Sequence, residues 1–287
     1  MSTIERVGVV GAGLMGSGIA EVCARAGLDV RVNEVDAGAL EAGRRRIEHS
    51  LDRGVKAGKL SQEDRNAAAA RIGYTTDIGD FADRDLVVEA VAEIESVKVE
   101  IFGKLDKVVQ SAAAIFASNT SSIPIMKLAM ATSRPAQVIG VHFFNPAPVL
   151  KLVEIIPSLL SADETRGRVE EFATARLGKT VVRSQDRAGF VVNALLIPYL
   201  LSAIRMLESG FASADDIDNG MVLGANHPMG PLRLIDLIGL DTTKSVAESM
   251  YEEFKEPLYS PPPLLLRMVD AGLLGKKSGR GFYEYPR

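Results

Sequence analysis

The chain has 287 residues, of which 47% are hydrophobic and 24% charged, and its net charge is -4 at neutral pH. This composition is typical of a folded globular protein and shows no bias toward disorder. The small negative charge excludes a general attraction to nucleic acid or to anionic membranes. Cys23 is the only cysteine, which excludes an intrachain disulfide and a cysteine metal cluster. Because "MSTIERVGVV" shows no secretory signal pattern, we expect a cytoplasmic protein.

The first elements form a strand, a glycine turn, a helix and a second strand. An apolar run covers Val7 to Val10, "GAGLMG" follows, a helical pattern extends to Ala26, and "DVRVNE" is a strand pattern. This order predicts a βαβ unit with two parallel strands. The next segment, at about 37–71, is rich in Ala, Arg and Glu, and it predicts a helical insertion of two helices with a break near Gly54 and Gly58.

Strand and helix patterns then alternate as far as Asp186. The strand patterns are "DLVVEAV", "AIFASNT", "QVIGVHFF", "KLVEII" and "KTVVRS". After Asp186 helical patterns dominate, and the apolar run 189–207 is interrupted by polar residues, which favours a buried or interface helix over a membrane span. We therefore predict an α/β fold with a Rossmann-type, doubly wound, mostly parallel sheet in residues 1–186, and an all-helical second domain in residues 187–287.

The glycine turn indicates a dinucleotide site. Gly11, Gly13 and Gly16 have the GxGxxG spacing, directly after an apolar strand and directly before a helix. The three glycines suit a tight turn, close approach to a pyrophosphate, and close packing of the helix on the strand. The alternative is that the three glycines serve only a tight turn and bind no ligand.

An acidic residue at the end of the second strand selects the cofactor. Glu34 stands where an acid that binds the ribose hydroxyls is expected, and its charge would repel a 2′-phosphate. NAD is therefore favoured over NADP. Asp36 is a competitor for this role, and Arg31 argues weakly for NADP.

A histidine and a glutamate form the second candidate site. His142 is in a strand pattern whose carboxyl end should face a ligand crevice, and Glu154 is in an apolar run where an unpaired carboxylate is costly. If "VHFF" and "KLVE" are antiparallel, a turn centred on Pro148 places residues 142 and 154 opposite each other. Such a pair is typical of a general base that takes a hydroxyl proton. Taken alone, His142 could equally be a core histidine. The other two, His49 and His227, are distant in sequence and indicate no metal site.

The sequence resembles the L-3-hydroxyacyl-CoA dehydrogenases, and within them the single-function bacterial 3-hydroxybutyryl-CoA dehydrogenases. The motifs that carry the resemblance are "GAGLMGSGIA", "LVVEAVAE", "ASNTSSI", "HFFNPAPVLKLVEII", "GFVVNALLIPYL", "DIDNGMVLGANHPMGPL", "IGLDTT" and "LGKKSGRGFYEY". The resemblance implies NAD-dependent interconversion of an L-3-hydroxyacyl-CoA and a 3-ketoacyl-CoA by a homodimer. It implies four catalytic residues: His142 as acid/base, Glu154 as its partner, and Ser121 and Asn193 at the reacting oxygen and thioester.

The resemblance also implies which residues contact the ligands. The cofactor contacts are Gly11, Gly13, Leu14, Met15, Gly16, Glu34, Glu93, Lys98, Asn119, Ser121, Asn145 and Lys277. The contacts to substrate and coenzyme A are Ser50, Lys56, Lys59, Ser121 and Asn193. The lysine that the family has seven residues after Ser50 is replaced here by Ala57, with Lys56 and Lys59 on either side. From the residues alone, Ser121 could be a helix N-cap, Glu93 and Lys98 a solvated helix start, and the basic residues of the insertion a solvated helix face.

Two other functions are compatible with these motifs. One is a dehydrogenase of a free sugar acid such as L-gulonate, since relatives acting on free hydroxy acids share the His and Glu pair. The other is a non-catalytic, crystallin-like NAD-binding protein, which the intact set of site residues disfavours. The sequence leaves acyl chain length, direction and pathway open, with fatty-acid oxidation and butanoate metabolism among the candidates.

Overall fold

The computed structural model describes residues 3–286, and the chain divides into two compact units, Met1–Arg187 and Ala188–Arg287. This division lies close to the one that the sequence patterns place at 186.

Within residues 3–187, the described part of the N-terminal unit, there is one sheet of eight strands. They are β1 Arg6–Val10, β2 Asp29–Asn33, β3 Ile72–Thr75, β4 Leu86–Glu89, β5 Ile115–Ser118, β6 Val138–Phe143, β7 Leu152–Pro157 and β8 Thr180–Arg183. Their order is β3-β2-β1-β4-β5-β6-β7-β8. Neighbouring strands are parallel except β6 and β7, which are antiparallel. The predicted Rossmann-type sheet is therefore confirmed.

Six helices accompany this sheet within residues 3–187. They are α1 Leu14–Arg25, α2 Ala37–Lys56, α3 Gln62–Ala70, α4 Glu95–Val108, α5 Ile125–Ala129 and α6 Asp163–Glu171, with short helical turns at Ile78–Phe81, Pro135–Gln137 and Phe172–Arg176. The insertion consists of α2 and α3. The predicted break near Gly54 and Gly58 is confirmed, because α2 ends at Lys56, between these two glycines, and Gly58 in the following turn has a φ of +67°. A glycine adopts this conformation without strain.

Side-chain caps fix where several of these helices begin. Asp36 accepts a hydrogen bond of 2.8 Å from the Ala39 N–H at the start of α2, and Ser61 accepts one of 3.0 Å from the Asp64 N–H at the start of α3. Such caps satisfy donors that have no partner inside the helix.

The order of the strands places a crevice at the carboxyl ends of β1 and β4. From β1 the chain proceeds outward to β2 and β3, and it then returns to β4 on the other side of β1. Ligands bind at such a switch point in doubly wound sheets. The strands beneath it form a rigid core, since Val7, Val9, Leu86, Val88 and Ile115 are all buried.

The C-terminal unit is helical. It contains α7 Val192–Glu208, α8 Ala214–Asn219, α9 Pro231–Ile238, α10 Leu240–Phe254 and α11 Pro263–Asp270, with short turns at Gly220–Gly224, Pro257–Tyr259 and Lys276–Ser278. Leu200, Ile204, Leu232 and Leu240 are buried in its core. Buried Asp236 attaches the tail, because its carboxylate accepts hydrogen bonds from the backbone N–H groups of residues 282 and 283. Among residues 3–286, no helix is long and apolar enough to cross a membrane.

Candidate active site

The hairpin of β6 and β7 brings a histidine and a glutamate together. His142 is directly opposite Glu154 in the antiparallel register, with Val141 opposite Ile155 and Phe143 opposite Val153. The register predicted from the turn around residue 148 is therefore confirmed.

The histidine has a different neighbour at each ring nitrogen. Its Nδ1 lies 2.8 Å from Glu154 Oε2, and its Nε2 lies 3.1 Å from Ser121 Oγ. Glu154 is fully buried, and His142 is 5% exposed. Because a carboxylate only accepts hydrogen bonds, we assign the ring proton to Nδ1, which leaves the Nε2 lone pair facing the Ser121 hydroxyl. This arrangement can accept a proton at Nε2 and stabilise the resulting imidazolium through Glu154.

Ser121 lies in the turn between β5 and α5, but it does not cap that helix. The N–H groups of Ile125 and Met126 donate to the Asp186 carboxylate at 2.7 and 2.8 Å, and the N-cap position is occupied by Pro124. The interpretation of Ser121 as an N-cap is therefore wrong. Its hydroxyl is directed to the histidine instead.

Lys98 and Glu93 do not form a solvated helix start. Lys98 is 1% exposed, and its Nζ lies 3.2 Å from Glu93 Oε2. Burial raises the pKa of Glu93, but the Lys98 ammonium and hydrogen bonds from Thr120 and Ser121 outweigh it, so the pKa lies below its ordinary value. Glu93 is therefore held as a carboxylate next to the turn that carries Ser121.

Two asparagines lie near the ends of β5 and β6. The Oδ1 of Asn119 accepts a hydrogen bond of 2.8 Å from the Phe143 N–H, so the residue after β5 is tied to the strand of the histidine. Asn145 is exposed, at the beginning of the loop between β6 and β7. Both lie at the carboxyl edge of the sheet, as a role near a ligand requires.

Each glycine of the GxGxxG turn has its own physical reason. Gly11 has a φ of +95°, and a Cβ on Gly16 would lie 1.8 Å from the Gly11 carbonyl oxygen. A Cβ on Gly13 would meet nothing within 4 Å. Gly13 therefore faces open space at the start of α1, which has no side-chain cap. Uncapped N–H groups at a helix start suit the pyrophosphate of a dinucleotide.

Glu34 faces the same cleft, whose volume is about 640 Å³ and which Gly11, Gly13 and Asn33 also line. Its Oε1 accepts a hydrogen bond of 2.6 Å from the Ala12 N–H. The competitor Asp36 is engaged as the cap of α2. This geometry supports Glu34 as the acid that faces the ribose.

The basic residues of the insertion fall into two groups. Arg44 contacts Glu48 at 3.0 Å, and Arg46 donates a hydrogen bond of 2.9 Å to the Ala12 carbonyl of the glycine turn. Lys56 and Lys59 are exposed, and Ser50 is half-buried on α2. Arg45 and Arg53 are exposed as well, so the two lysines are two of several positive charges that an anionic substrate can reach.

Two predicted residues belong to the C-terminal unit. Asn193 is the second residue of α7, shortly after Phe190, which has a φ of +49°. Lys277 lies in the tail, with its Nζ 2.6 Å from the carboxylate of Asp241. Their assignment to the ligand sites stays a prediction.

Comparisons with known proteins assign the family. The model of the "3-hydroxyacyl-CoA dehydrogenase, NAD binding domain" matches residues 6–187, and that of the "3-hydroxyacyl-CoA dehydrogenase, C-terminal domain" matches residues 189–285. The chain belongs to the 3-hydroxyacyl-CoA dehydrogenase family. The resemblance noted from the motifs is confirmed, as are the enzyme class and NAD as cofactor.

Individual relatives of this 3-hydroxyacyl-CoA dehydrogenase match along nearly the whole chain. A 3-hydroxybutyryl-CoA dehydrogenase of Mycobacterium tuberculosis is 62% identical over 282 residues, which are 98% of this chain and 99% of that protein. The crystal structure of M. tuberculosis FadB2 has a TM-score of 0.98 at 61% identity and covers 99% of this chain and 100% of its own. The crystal structure of (S)-3-hydroxybutyryl-CoA dehydrogenase PaaH1 from Ralstonia eutropha has a TM-score of 0.93 at 46% identity, and the match covers 99% of this chain and 100% of that one.

Sequence reasoning missed several residues that shape this dehydrogenase site. Glu89 is fully buried at the end of β4, Thr120 donates a hydrogen bond to Glu93, and Asp186 caps α5. The signal for Glu89 was present in the sequence. A glutamate ends the apolar run "LVVE", just as Glu154 interrupts the apolar run "LVEII".

Proposed function

We propose that this family member interconverts a short-chain L-3-hydroxyacyl-CoA and the 3-ketoacyl-CoA, with 3-hydroxybutyryl-CoA and acetoacetyl-CoA as the preferred pair. The observation that carries the proposal is the chain of contacts Glu154, His142 and Ser121, which ends at the carboxyl edge of an NAD-binding sheet. Relatives that match the whole chain bear the name 3-hydroxybutyryl-CoA dehydrogenase.

The chemistry follows from the hydrogen-bond directions. His142 Nε2 accepts the proton of the substrate's 3-hydroxyl group, while Glu154 orients the ring and offsets its new charge. The Ser121 hydroxyl, 3.1 Å from Nε2, holds the same substrate oxygen in place. NAD, when bound, supplies the acceptor for the hydride that leaves the carbinol carbon.

The cofactor would be held by the glycine turn and by the carboxyl edge of the sheet. Gly11, Gly13 and Gly16 admit the pyrophosphate, and Glu34 binds the ribose and disfavours a 2′-phosphate. Leu14 is 65% exposed at the start of α1, beside Met15, where an apolar ring can pack. Asn119 and Asn145 lie on the nicotinamide side. A Glu34→Gln substitution should raise the KM for NADH and lower the preference for NADH over NADPH. The control Asp36→Ser keeps a capping oxygen and should leave both quantities unchanged.

For the substrate, we propose that coenzyme A is bound by the insertion and the acyl thioester by α7. Ser50, Lys56 and Lys59 supply a hydroxyl and two unobstructed positive charges for phosphates. We propose that Asn193 offers an amide to the thioester oxygen and that Lys277 contacts the cofactor. A Lys56→Gln, Lys59→Gln double variant should raise the KM for acetoacetyl-CoA more than the KM for NADH.

We further propose a cytoplasmic homodimer that associates through the C-terminal unit. Leu195, Phe211 and Leu223 are apolar and between 74% and 82% exposed on that unit, and large exposed apolar side chains are typical of interfaces. Buried Cys23 is unpaired, which fits a reducing compartment. Sedimentation equilibrium tests the dimer: a mass of one chain at micromolar concentration would refute it.

The decisive experiment measures NADH oxidation with acetoacetyl-CoA and with 3-ketoacyl-CoAs of increasing length. We expect the highest kcat/KM with the four-carbon substrate. If NADH binds but no 3-ketoacyl-CoA is reduced, the proposal fails, and the crystallin-like alternative is supported. Turnover of L-gulonate with NAD, in the absence of turnover of 3-hydroxybutyryl-CoA, would support the sugar-acid alternative instead.

A further inference from the structure

A fully buried ion pair lies beneath the candidate active site. Lys98 Nζ is 2.7 Å from Glu89 Oε1, and the two side chains are 1% and 0% exposed. The other hydrogen bonds of the Glu89 carboxylate come from the Val91 N–H at 2.7 Å and from the Ser118 hydroxyl at 2.6 Å. A buried charge pair is tolerated only when its remaining lone pairs and protons are satisfied in this way. The ammonium of Lys98 is therefore enclosed by protein groups.

The same ammonium reaches a second carboxylate. Lys98 Nζ lies 3.2 Å from Glu93 Oε2, so one lysine bridges the end of β4 and the loop that precedes α4. The two carboxylates, Glu89 and Glu93, are thereby held on opposite sides of one positive charge. Removing this charge would leave two adjacent negative groups that repel each other.

Glu93 in turn organises residues 120–122, which we name the serine turn. Its Oε1 accepts hydrogen bonds from the Thr120 hydroxyl, from the Ser121 N–H at 2.8 Å, and from the Ser122 N–H at 3.2 Å. One carboxylate oxygen thus fixes the backbone of the serine turn. The Ser121 hydroxyl on this backbone is the group that lies 3.1 Å from His142 Nε2.

We propose that Glu89, Lys98 and Glu93 form a positioning chain that holds the serine turn and sets the place of Ser121 beside His142. Lys98 then contributes to catalysis through Glu93, in addition to the cofactor contact that the resemblance implies for it. The inference rests on the proposed function, because Ser121 matters for turnover only if the substrate oxygen binds there. A displacement of a reacting group by about 1 Å is enough to lower a rate by up to ~100-fold.

The test compares Glu89→Gln and Lys98→Met with a matched control, Lys127→Met. Lys127 forms an ion pair of 2.7 Å with Glu95, between the beginning of α4 and α5, but its side chain is 52% exposed. We expect kcat with acetoacetyl-CoA to fall about tenfold in each of the first two variants, with the Kd of NADH within about twofold of the wild type in Glu89→Gln. The control should keep the wild-type kcat.

A second readout is independent of turnover. Hydrogen exchange of the Ser121 and Ser122 amides should lose protection in Glu89→Gln and Lys98→Met but keep it in Lys127→Met. If Lys98→Met fails to fold because it leaves buried carboxylates unpaired, the Glu89→Gln, Lys98→Met double variant removes one of those charges and should show the same two losses.

Two results would overturn the inference. One is a Lys98→Met protein with weaker NADH binding and unchanged amide protection, which would limit Lys98 to a cofactor contact. The other is wild-type kcat and protection in both Glu89→Gln and Lys98→Met. Failure of the proposed function is distinguishable, since the wild type would then reduce no 3-ketoacyl-CoA while the exchange experiment still reports on the positioning chain.

Discussion

Two buried glutamates of the same sheet, Glu154 on β7 and Glu89 on β4, have different cationic partners. Glu154 contacts His142 at 2.8 Å across an antiparallel pair of strands, and Glu89 contacts Lys98 at 2.7 Å, nine residues further along the chain. Histidine is the side chain whose charge changes near neutral pH, whereas lysine is charged throughout that range. This difference suits the Glu154 pair to the proton transfer that we propose, and the Glu89 pair to the positioning role that we propose.

The two pairs also differ in what surrounds them. The Nε2 of His142 faces the Ser121 hydroxyl at the ligand edge of the sheet, while Lys98 is enclosed by Glu89 and Glu93. A group that exchanges a proton with a substrate must be accessible to that substrate, whereas a pair that only positions other groups need not be. Variants of the two pairs should therefore differ in the size of their effect on turnover.

The largest effect is expected for His142→Gln. Glutamine cannot take the substrate proton, so kcat should fall by about 10²- to 10⁴-fold, the usual contribution of general acid–base catalysis. NADH oxidation with acetoacetyl-CoA measures it. His49→Gln, on the exposed side of α2, is the control and should be fully active. A loss below tenfold in His142→Gln would show that another group accepts the proton.

A smaller loss is expected for Glu154→Gln. The amide can still face Nδ1, but it lacks the charge that stabilises the imidazolium, so kcat should fall about 100-fold with little change in the Kd of NADH. This loss should exceed the roughly tenfold loss predicted for Glu89→Gln. Equal losses of kcat in the two variants would contradict the different roles that we propose for Glu154 and Glu89.

Ser118→Ala should have a modest effect on turnover and a clear one on stability. It removes one of the hydrogen bonds to the buried Glu89 carboxylate, which should lower the free energy of unfolding by about 1–3 kcal/mol. Urea unfolding measures this change. The control is Ser133→Ala, which removes an exposed hydrogen bond to Asp106 and should lower the free energy of unfolding by less. An equal cost would mean that Glu89 finds a substitute donor.

The smallest effect concerns the pH dependence of stability at Glu93. Its pKa is lowered from an ordinary value of 4.5, since the Lys98 charge and the hydrogen bonds of the serine turn outweigh the effect of burial. A lowered pKa stabilises the fold above pH 4.5, and this stability is lost as the pH falls through the folded-state value. Glu93→Gln should therefore be less stable than the wild type at pH 7, and the difference should shrink below pH 4.5. A difference that is constant from pH 7 to pH 3 would contradict the assignment.

Much of the fold was predictable because its signals are local. The spacing of Gly11, Gly13 and Gly16, the alternation of strand and helix patterns, and the loss of strand patterns after Asp186 all lie within short windows of sequence. The hairpin register was predictable for a related reason. His142 and Glu154 are joined by one loop, and an antiparallel ladder relates residues by simple arithmetic.

The serine turn was not predictable in the same way. The serine turn is joined to Glu93, and the start of α5 that follows it is joined to Asp186, so three separate segments meet here. From the sequence, each of these residues has an ordinary local role as a surface charge or a helix cap. The interpretation of Ser121 as a cap failed because Asp186, 61 residues from Ile125, already occupies that position. No local sequence pattern indicates which of the two residues caps α5.

The sequence by itself therefore determined the class of fold, the glycine turn and the pairing of His142 with Glu154, since each depends on neighbours along the chain or across one hairpin. Only the tertiary structure decided that Lys98 is buried between Glu89 and Glu93, and that Glu93 holds the turn of Ser121. The physical reason is that a buried charge is defined by all the groups that surround it, and parallel strands bring those groups together from distant parts of the chain.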